Sequence, residues 1–102
     1  MKEYERDILK AVTDYLTLKG YLFIRNNTGA FKTEKGGYVK TGSRGSPDLL
    51  VFLKDGICIG LECKTRLGRL SEAQEAWKQR ARNLGMRYEV VRSLYEVMEI
   101  LK

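Results

Sequence analysis

The chain has 102 residues, of which 19 are Lys or Arg and 13 are Asp or Glu, so its formal net charge at pH 7 is +6. A chain of this length is typical of one domain, which we expect to span residues 1–102. It contains no histidine. This excludes histidine general bases, Ser-His triads and histidine-containing zinc sites, and leaves metal-and-water chemistry as the route for any hydrolysis.

The charge is distributed unevenly along the chain. Residues 25–47 carry a net charge of +4 and residues 64–92 carry +5, whereas residues 48–63 carry −2. Two basic segments flanking an acidic one are typical of a protein that holds a polyanion by its phosphates and binds a cation between them. Ordinary solubilising charge is the alternative interpretation.

The cysteine pattern and the N-terminus indicate a cytoplasmic protein. Cys58 and Cys63 lie five positions apart on one predicted strand, so they face opposite sides and cannot easily form a disulfide. We interpret both as small apolar residues in a reducing compartment, with Cys63 facing inward and Cys58 near the opposite face. No apolar stretch resembles a signal segment or a membrane span.

A first helix is predicted from Tyr4 to about Lys19, where Gly20 ends it. Its apolar stripe consists of Ile8, Leu9, Val12, Tyr15 and Leu16. Glu5 lies on the same stripe, so we expect its carboxylate to point toward the sheet instead of solvent. That carboxylate either contributes to a metal site, directly or through water, or serves only the helix dipole.

A short strand, Tyr21–Ile24, is followed by a polar, glycine-rich stretch from Asn26 to Ser46. Its centre at residues 35–37 predicts a hairpin or a flexible loop. Basic residues with interleaved aromatic residues favour a loop that contacts DNA, and a long solvated loop is the alternative. The basic residues are Lys32, Lys35, Lys40 and Arg44. The small residues of 41–45 would allow the backbone to approach phosphates.

Two strands with a tight turn are predicted next, the first at Leu49–Leu53 and the second from Ile57. The period of two places Glu62 and Lys64 on the same face of the second strand, together with Gly60. A hairpin sets Asp48, at the start of the first strand, opposite the end of the second. Three charged groups can therefore converge at one end of the sheet.

Two carboxylates and one amine in this arrangement suit a magnesium-dependent nuclease. Carboxylates are ligands that Mg²⁺ prefers, together with water and substrate phosphate. Lys64 would orient an attacking water or neutralise charge on the phosphate, and Gly60 would leave room for a ligand. The alternative is that Asp48 is a turn residue after Pro47, and that Glu62 and Lys64 form a solvated strand face.

The remaining chain predicts a helix, a strand and a helix. Ser71-Glu72-Ala73-Gln74 is a capping-box pattern that opens a helix running to about Leu84. Its predicted buried residues are Ala73, Ala76, Trp77, Ala81 and Leu84. The last strand, Tyr88–Val91, follows a parallel crossover, and Ser93 opens a final helix with a second capping box and an apolar face. Its apolar residues are Leu94, Val97, Met98 and Leu101.

Two groups of basic residues accompany these elements. Arg66 and Arg69 follow Lys64 and are placed to contact phosphates. A second group, on the following helix, forms a solvated or DNA-facing side and consists of Lys78, Arg80 and Arg82.

The predicted order is α-β-(hairpin)-β-β-α-β-α, an α/β fold with a mixed central sheet flanked by helices. The Gly45-Ser46-Pro47-Asp48 segment, the hairpin and the Glu62-Cys63-Lys64 motif resemble the PD-(D/E)xK nuclease superfamily, whose core is restriction-endonuclease-like. Within it the chain is most similar to stand-alone VRR-NUC domains, and next to archaeal Holliday junction resolvases. The resemblance extends from the first helix to the strand ending near Val91.

The resemblance implies site residues and a reaction. Asp48 and Glu62 would be metal ligands, aided by the main-chain carbonyl of Cys63, and Lys64 would be the catalytic lysine. The first-helix acidic residue and the second-helix glutamine of the pattern would fall on Glu5 and Gln74. The capping box alone also explains Gln74.

The expected cofactor is Mg²⁺, with Mn²⁺ able to substitute, and no nucleotide cofactor is expected. The expected activity is structure-selective cleavage of branched or Holliday-junction DNA by a homodimer. The alternatives are a non-catalytic nucleic-acid-binding module of the same fold and a sequence-specific, restriction-type nuclease.

Overall fold

The computed structural model describes residues 2–26, 29–32, 34–41 and 43–102, and for residues 29–32 and 38–41 it describes the backbone alone. Over these ranges the elements run in the predicted order. They are α1 (Glu5–Leu18), β1 (Leu22–Arg25), β2 (Gly29–Lys32), β3 (Tyr38–Thr41), β4 (Leu49–Phe52), β5 (Cys58–Cys63), α2 (Glu72–Asn83), β6 (Arg87–Val91) and α3 (Leu94–Ile100).

The predicted mixed sheet is confirmed. Its strand order is β1-β4-β5-β6, in which β1 and β5 pair antiparallel with β4, and β6 pairs parallel with β5. The parallel pairing requires a crossover, and α2 provides it. Strands β2 and β3 form a separate antiparallel hairpin with Gly36 in its turn at φ +83°, as predicted for residues 35–37.

The core lies on one face of the sheet, beneath α1 and α3. Alternate residues of β4 and β5 point to this face, which explains why Leu49, Val51, Ile59 and Leu61 are fully buried. Each such aliphatic side chain contributes about 1.5–3 kcal/mol to the free energy of folding. Val12, Leu16, Val91 and Val97 complete the cluster together with Cys63, which faces inward as predicted.

The opposite face of the sheet is covered only in part, and here two predicted burials are wrong. Helix α2 packs against β6 and buries Ala81, but Leu84 is 84% exposed and Ala76 is exposed. Leu84 is the C-cap residue of α2, so it lies beyond the part of the helix that contacts the sheet. Both residues instead line a groove along one flank of α2.

Gly60 does not leave room for a ligand, contrary to the expectation from its place beside Glu62. A Cβ at this position would lie 2.8 Å from Pro47 Cγ and 3.0 Å from Met86 Cε. The space above Gly60 is therefore filled by side chains of the chain itself. Glycine is required here because Pro47 packs directly onto the strand.

Gly45 brings the segment before Asp48 against the first turn of α2. Its φ is +89°, and a Cβ would lie 2.2 Å from the main-chain oxygen of Ala73. The close approach expected of residues 41–45 thus occurs between two parts of the chain; Gly42 lies outside the described residues. Among the described residues, no helix is long and apolar enough to cross a membrane.

Gly45→Ala is expected to destabilise the protein more than Gly85→Ala. Both glycines have positive φ, +89° and +86°, so both substitutions carry the left-handed backbone cost of about 1–2 kcal/mol. Only Gly45→Ala adds a clash with backbone, worth about 1–3 kcal/mol more, since no heavy atom outside its neighbours lies within 4 Å of a Cβ at Gly85. Urea unfolding of the two variants measures the difference. Equal costs would contradict the close packing of Gly45.

Candidate functional site

Asp48 is held at the end of β4, opposite the end of β5. The register Leu49↔Leu61 extends the antiparallel pair to this point, and Asp48 Oδ2 accepts a hydrogen bond of 2.8 Å from the main-chain N–H of Cys63. The main-chain oxygen of Asp48 accepts a second bond, of 2.8 Å, from the N–H of Asn26. The hairpin therefore brings the two parts of the sequence motif together, as predicted.

Glu62 is buried, with only 2% of its surface exposed. Its Oε2 accepts a hydrogen bond of 3.0 Å from Gln74 Nε2, whereas its Oε1 has no hydrogen-bond partner among the described residues. Burial and the neighbouring Asp48 carboxylate, opposed by Lys64, together raise the pKa of this carboxyl to about 8. A buried carboxylate with an unpaired oxygen is a place where a cation would be strongly stabilised.

Lys64 lies between two carboxylates. Its Nζ is 3.9 Å from Glu62 Oε2 and 3.9 Å from Glu5 Oε1, and its side chain is 10% exposed. Glu5 was expected to point away from solvent, but its side chain is 51% exposed. It lies in the first turn of a helix whose N-terminus is open to water, so its carboxylate reaches Lys64 from the rim of the site. Glu5 thus joins the cluster as an ion partner of Lys64.

Gln74 makes contacts that fit both of the interpretations that the sequence left open. Its Oε1 accepts a hydrogen bond of 2.9 Å from the N–H of Ser71, and its own N–H donates to Ser71 Oγ, which completes the capping box. Its Nε2 donates to Glu62. A single amide therefore ties the N-terminus of α2 to the buried carboxylate.

The main-chain carbonyl of Cys63 is on the correct side of β5 for the role that the resemblance implies. The N–H and C=O of one strand residue project toward the same neighbouring strand, and this N–H is bonded to Asp48. The thiol of Cys63 lies in the core, where burial raises its pKa to about 12. The thiol therefore lies on the face of β5 opposite Glu62, away from the carboxylates of the site.

The basic residues that the sequence predicts to contact phosphates lie on separate elements. Arg44 is exposed beside α2, Arg66 and Arg69 are exposed on the loop after Lys64, and Lys35 is exposed in the turn between β2 and β3. The side chains of Lys32 and Lys40 lie outside the described residues. Arg44, Arg66, Arg69 and Lys35 are thus exposed to solvent, where a ligand can reach them.

Two residues that sequence reasoning missed support the site. Asn26 Nδ2 donates to Ser46 Oγ at 2.8 Å and to the main-chain oxygen of Pro47 at 3.0 Å, which fixes the approach to Asp48. Arg92 Nη1 donates to the main-chain oxygens of Thr65 at 2.6 Å and Gly68 at 2.7 Å. Sequence reasoning could have found Arg92. The predicted parallel strand ends at Val91, beside Lys64, so the next residue, Arg92, must lie near the loop that follows Lys64.

The raised pKa of Glu62 predicts a pH-dependent stability of the metal-free protein. The unfolded carboxyl has a pKa of 4.5 and the folded one about 8, so the folded state binds more protons between these values. The free energy of unfolding should therefore fall as pH rises through this window, by up to about 1.4 kcal/mol per pH unit. In urea unfolding with EDTA, Glu62→Gln should be more stable than wild type at pH 8, and the gap should close at pH 5. Parallel pH profiles would contradict the assignment.

Comparison with known proteins identifies the family of the chain. The family model described as "VRR-NUC domain" matches residues 10–94. A solved structure titled "VRR_NUC domain" has the same fold, with a TM-score of 0.69 and 24% sequence identity, over 95% of this chain and 92% of that one. No curated protein matches.

The family match covers most of the chain, including Asp48, Glu62 and Lys64, and the fold match extends over nearly all of it. Both agree with the resemblance that the motif predicts. The chain therefore belongs to the VRR-NUC domain family, a nuclease-type domain of the PD-(D/E)xK superfamily.

Proposed function

We propose that residues 1–102 form one metal-dependent DNA endonuclease domain that hydrolyses phosphodiester bonds with Mg²⁺. The observation that carries the proposal is the buried Glu62 carboxylate, whose Oε1 lacks a hydrogen-bond partner among the described residues, beside Asp48 and Lys64. A stability requirement alone does not explain such a group, because an unpaired buried polar atom costs about 1–3 kcal/mol.

The donors at this site fit a hard divalent cation. Asp48 and Glu62 would hold it, together with the main-chain oxygen of Cys63. Among the described residues, no three Asp, Glu, Cys or His side chains form a metal-binding group. Water and a substrate phosphate would therefore supply the remaining ligands, which is the usual arrangement for Mg²⁺ and less suited to a structural metal. Mn²⁺ accepts the same oxygen donors.

When bound, the cation would supply a Lewis acid that activates water and stabilises negative charge on the phosphate. The chain supplies the geometry. Gln74 holds Oε2 of Glu62, so Oε1 remains available, and the Cys63 N–H fixes one oxygen of Asp48. Both carboxylates are thus positioned before substrate arrives, which reduces the reorganisation needed during the reaction.

Lys64 would act on the substrate itself. Hydrolysis adds a water oxygen to phosphorus, breaks one P–O bond and leaves an alcohol and a phosphate monoester. The ammonium of Lys64 would donate a hydrogen bond to that water or to a phosphate oxygen, where negative charge increases in the transition state. Glu5 and Glu62, each 3.9 Å away, orient the ammonium.

The DNA would be held by basic side chains on several elements. Arg66 and Arg69 follow Lys64 and would contact phosphates beside the cleaved bond; Lys32, Lys35, Lys40 and Arg44 would contact the flanking backbone. Branched DNA, including the four-way junction, is the substrate that we propose on the family likeness.

A second copy of the chain would pack on the exposed half of the sheet. Leu22, Ile24 and Phe52 are 70%, 49% and 37% exposed, and the register Leu22↔Phe52 sets them on the face opposite the core. Adjacent exposed apolar side chains of this kind are typical of an interaction surface. A homodimer would present two active sites to a branched substrate. The free cysteines of the chain fit a reducing compartment such as the cytoplasm.

Lys64→Ala and Lys64→Met should reduce cleavage about 10²–10³-fold while leaving the fold and Mg²⁺ binding in place, because they remove a charge that acts mainly in the transition state. Cleavage of matched linear, flapped and four-way-junction DNA measures this in Mg²⁺, Mn²⁺ and EDTA. Calorimetry measures metal binding. Lys10→Ala, at an exposed lysine of α1, is the control and should cut normally.

Undiminished cutting by both Lys64 variants would refute the role of the lysine. Tight DNA binding by the wild type without cleavage in either metal would instead identify a non-catalytic module. A fixed cleavage sequence on linear DNA would identify a restriction-type enzyme.

Leu22→Lys should convert a dimer into a monomer, because each copy would bury a charge on the shared apolar face. Sedimentation equilibrium measures the mass. Leu18→Lys, at a residue of α1 that is 85% exposed, should remain dimeric. A wild-type protein that is monomeric at high concentration would contradict the homodimer.

A further inference from the structure

A groove lies along one flank of α2, next to the proposed catalytic cluster but separate from it. It has a volume of about 700 Å³ and lies between residues 43–44 and α2, a size typical of small-ligand sites. Its walls combine apolar side chains with two arginines. The residues that matter here are Ser43, Arg44, Ala76, Trp77, Arg80 and Leu84.

Trp77 is held in a fixed orientation in this groove. Its Nε1–H donates to Ser43 Oγ at 3.2 Å, and its ring packs against that of Tyr88, with centroids 5.9 Å apart and an interplanar angle of 44°. An indole that is supported on one side and borders a groove is a preorganised surface for stacking a flat ring. Stacking of bases on aromatic side chains is the main sequence-tolerant contact of single-stranded nucleic acids.

The charge of the groove favours a polyanion over a second copy of the chain. Arg44 and Arg80 both line it, with Glu72 as the one acidic side chain among the lining residues. A two-fold pairing through this groove would bring the arginines of both copies together. The apolar sheet face at Leu22 and Ile24 offers a second copy a surface that lacks this repulsion.

The groove and the catalytic cluster share rigid parts. Ala73 lines the groove, and the next residue, Gln74, donates to Glu62 on the inner side of the helix. Arg44 precedes Gly45, which is packed against the main chain of Ala73. A DNA strand bound in the groove would therefore lie at a fixed position relative to Asp48 and Glu62.

We propose that this groove receives an unpaired nucleobase of a DNA strand, stacked on Trp77, with the neighbouring phosphates on Arg44 and Arg80. The inference rests on the proposed function in taking DNA as the ligand, and it adds a preference for substrates with unpaired nucleotides. Fully paired duplex has no free base to place there.

Binding without cleavage tests the proposal, because Trp77 is the only tryptophan of the chain. The protein is titrated in EDTA with an oligothymidylate, with an abasic oligomer of the same length and with a blunt duplex, while indole fluorescence is recorded. Oligothymidylate should quench the emission in a saturable manner, and the abasic oligomer and the duplex should not. Fluorescence anisotropy of dye-labelled DNA measures total binding in the same samples.

Matched variants locate the binding. Ala76→Glu places an acidic side chain at an exposed groove position and should weaken oligothymidylate binding roughly tenfold or more, whereas Gln79→Glu makes the same charge change on the same helix at a residue that does not line the groove. Arg80→Ala should also weaken binding, and Arg6→Ala, at an exposed arginine of α1, should do so less. These variants avoid the buried contact of Trp77 with Tyr88, so they should fold.

The outcomes separate the two proposals. DNA binding without quenching, or equal loss from Ala76→Glu and Gln79→Glu, overturns the groove while the nuclease proposal stands. Loss of dimer mass in Ala76→Glu with oligothymidylate binding unchanged assigns the groove to a second copy instead. Absence of binding to any of these three DNAs overturns the groove, and the cleavage assay on branched DNA in Mg²⁺ decides the nuclease proposal separately.

Discussion

The hydrogen bond from the Cys63 N–H to Asp48 Oδ2 is the contact on which the site depends. It terminates the antiparallel pairing of β4 and β5 with a side chain in place of a backbone carbonyl, so the carboxylate of one strand is fixed to the end of the other. Two motif segments separated by a tight turn thereby become one cluster. A register shifted by one residue would send Glu62 into the core face and Leu61 into the site.

Burial of the Glu62 carboxylate reduces the free energy of unfolding, and the surrounding residues offset this reduction only in part. Gln74 and Lys64 stabilise the charged form of Glu62, but burial and Asp48 act against it, and the net result is a raised pKa. An interior designed for stability alone would carry an apolar residue at this position, as its neighbours Leu61 and Cys63 do on the other face. The fold is thus less stable than it would be with an apolar residue at this position, and a cation would complete the site.

Helix α2 contacts the Glu62 cluster with one side and borders a groove with its flank, so little of its surface is covered by the sheet. Its inner side presents Gln74 to Glu62 and packs Ala81 and Trp77 toward Tyr88. Its flank, with Ala76 and Leu84, borders the groove, which Trp77 and Ala81 also line. The amphipathic pattern of the sequence predicts one apolar side that contains all four of these residues, but the sheet covers only part of it.

The sequence by itself determined the element order, the hairpin, the parallel crossover and the convergence of Asp48, Glu62 and Lys64, because each follows from local turn chemistry and a period of two along one strand. The tertiary structure alone decided the burial of Glu62, the half-exposed position of Glu5, the filling of the space above Gly60 by Pro47 and Met86, and the contact of Arg92 with the loop after Lys64. These depend on how elements distant in sequence pack against each other. Periodicity assigns a residue to a face, but only the neighbouring elements determine whether that face is covered, and by what.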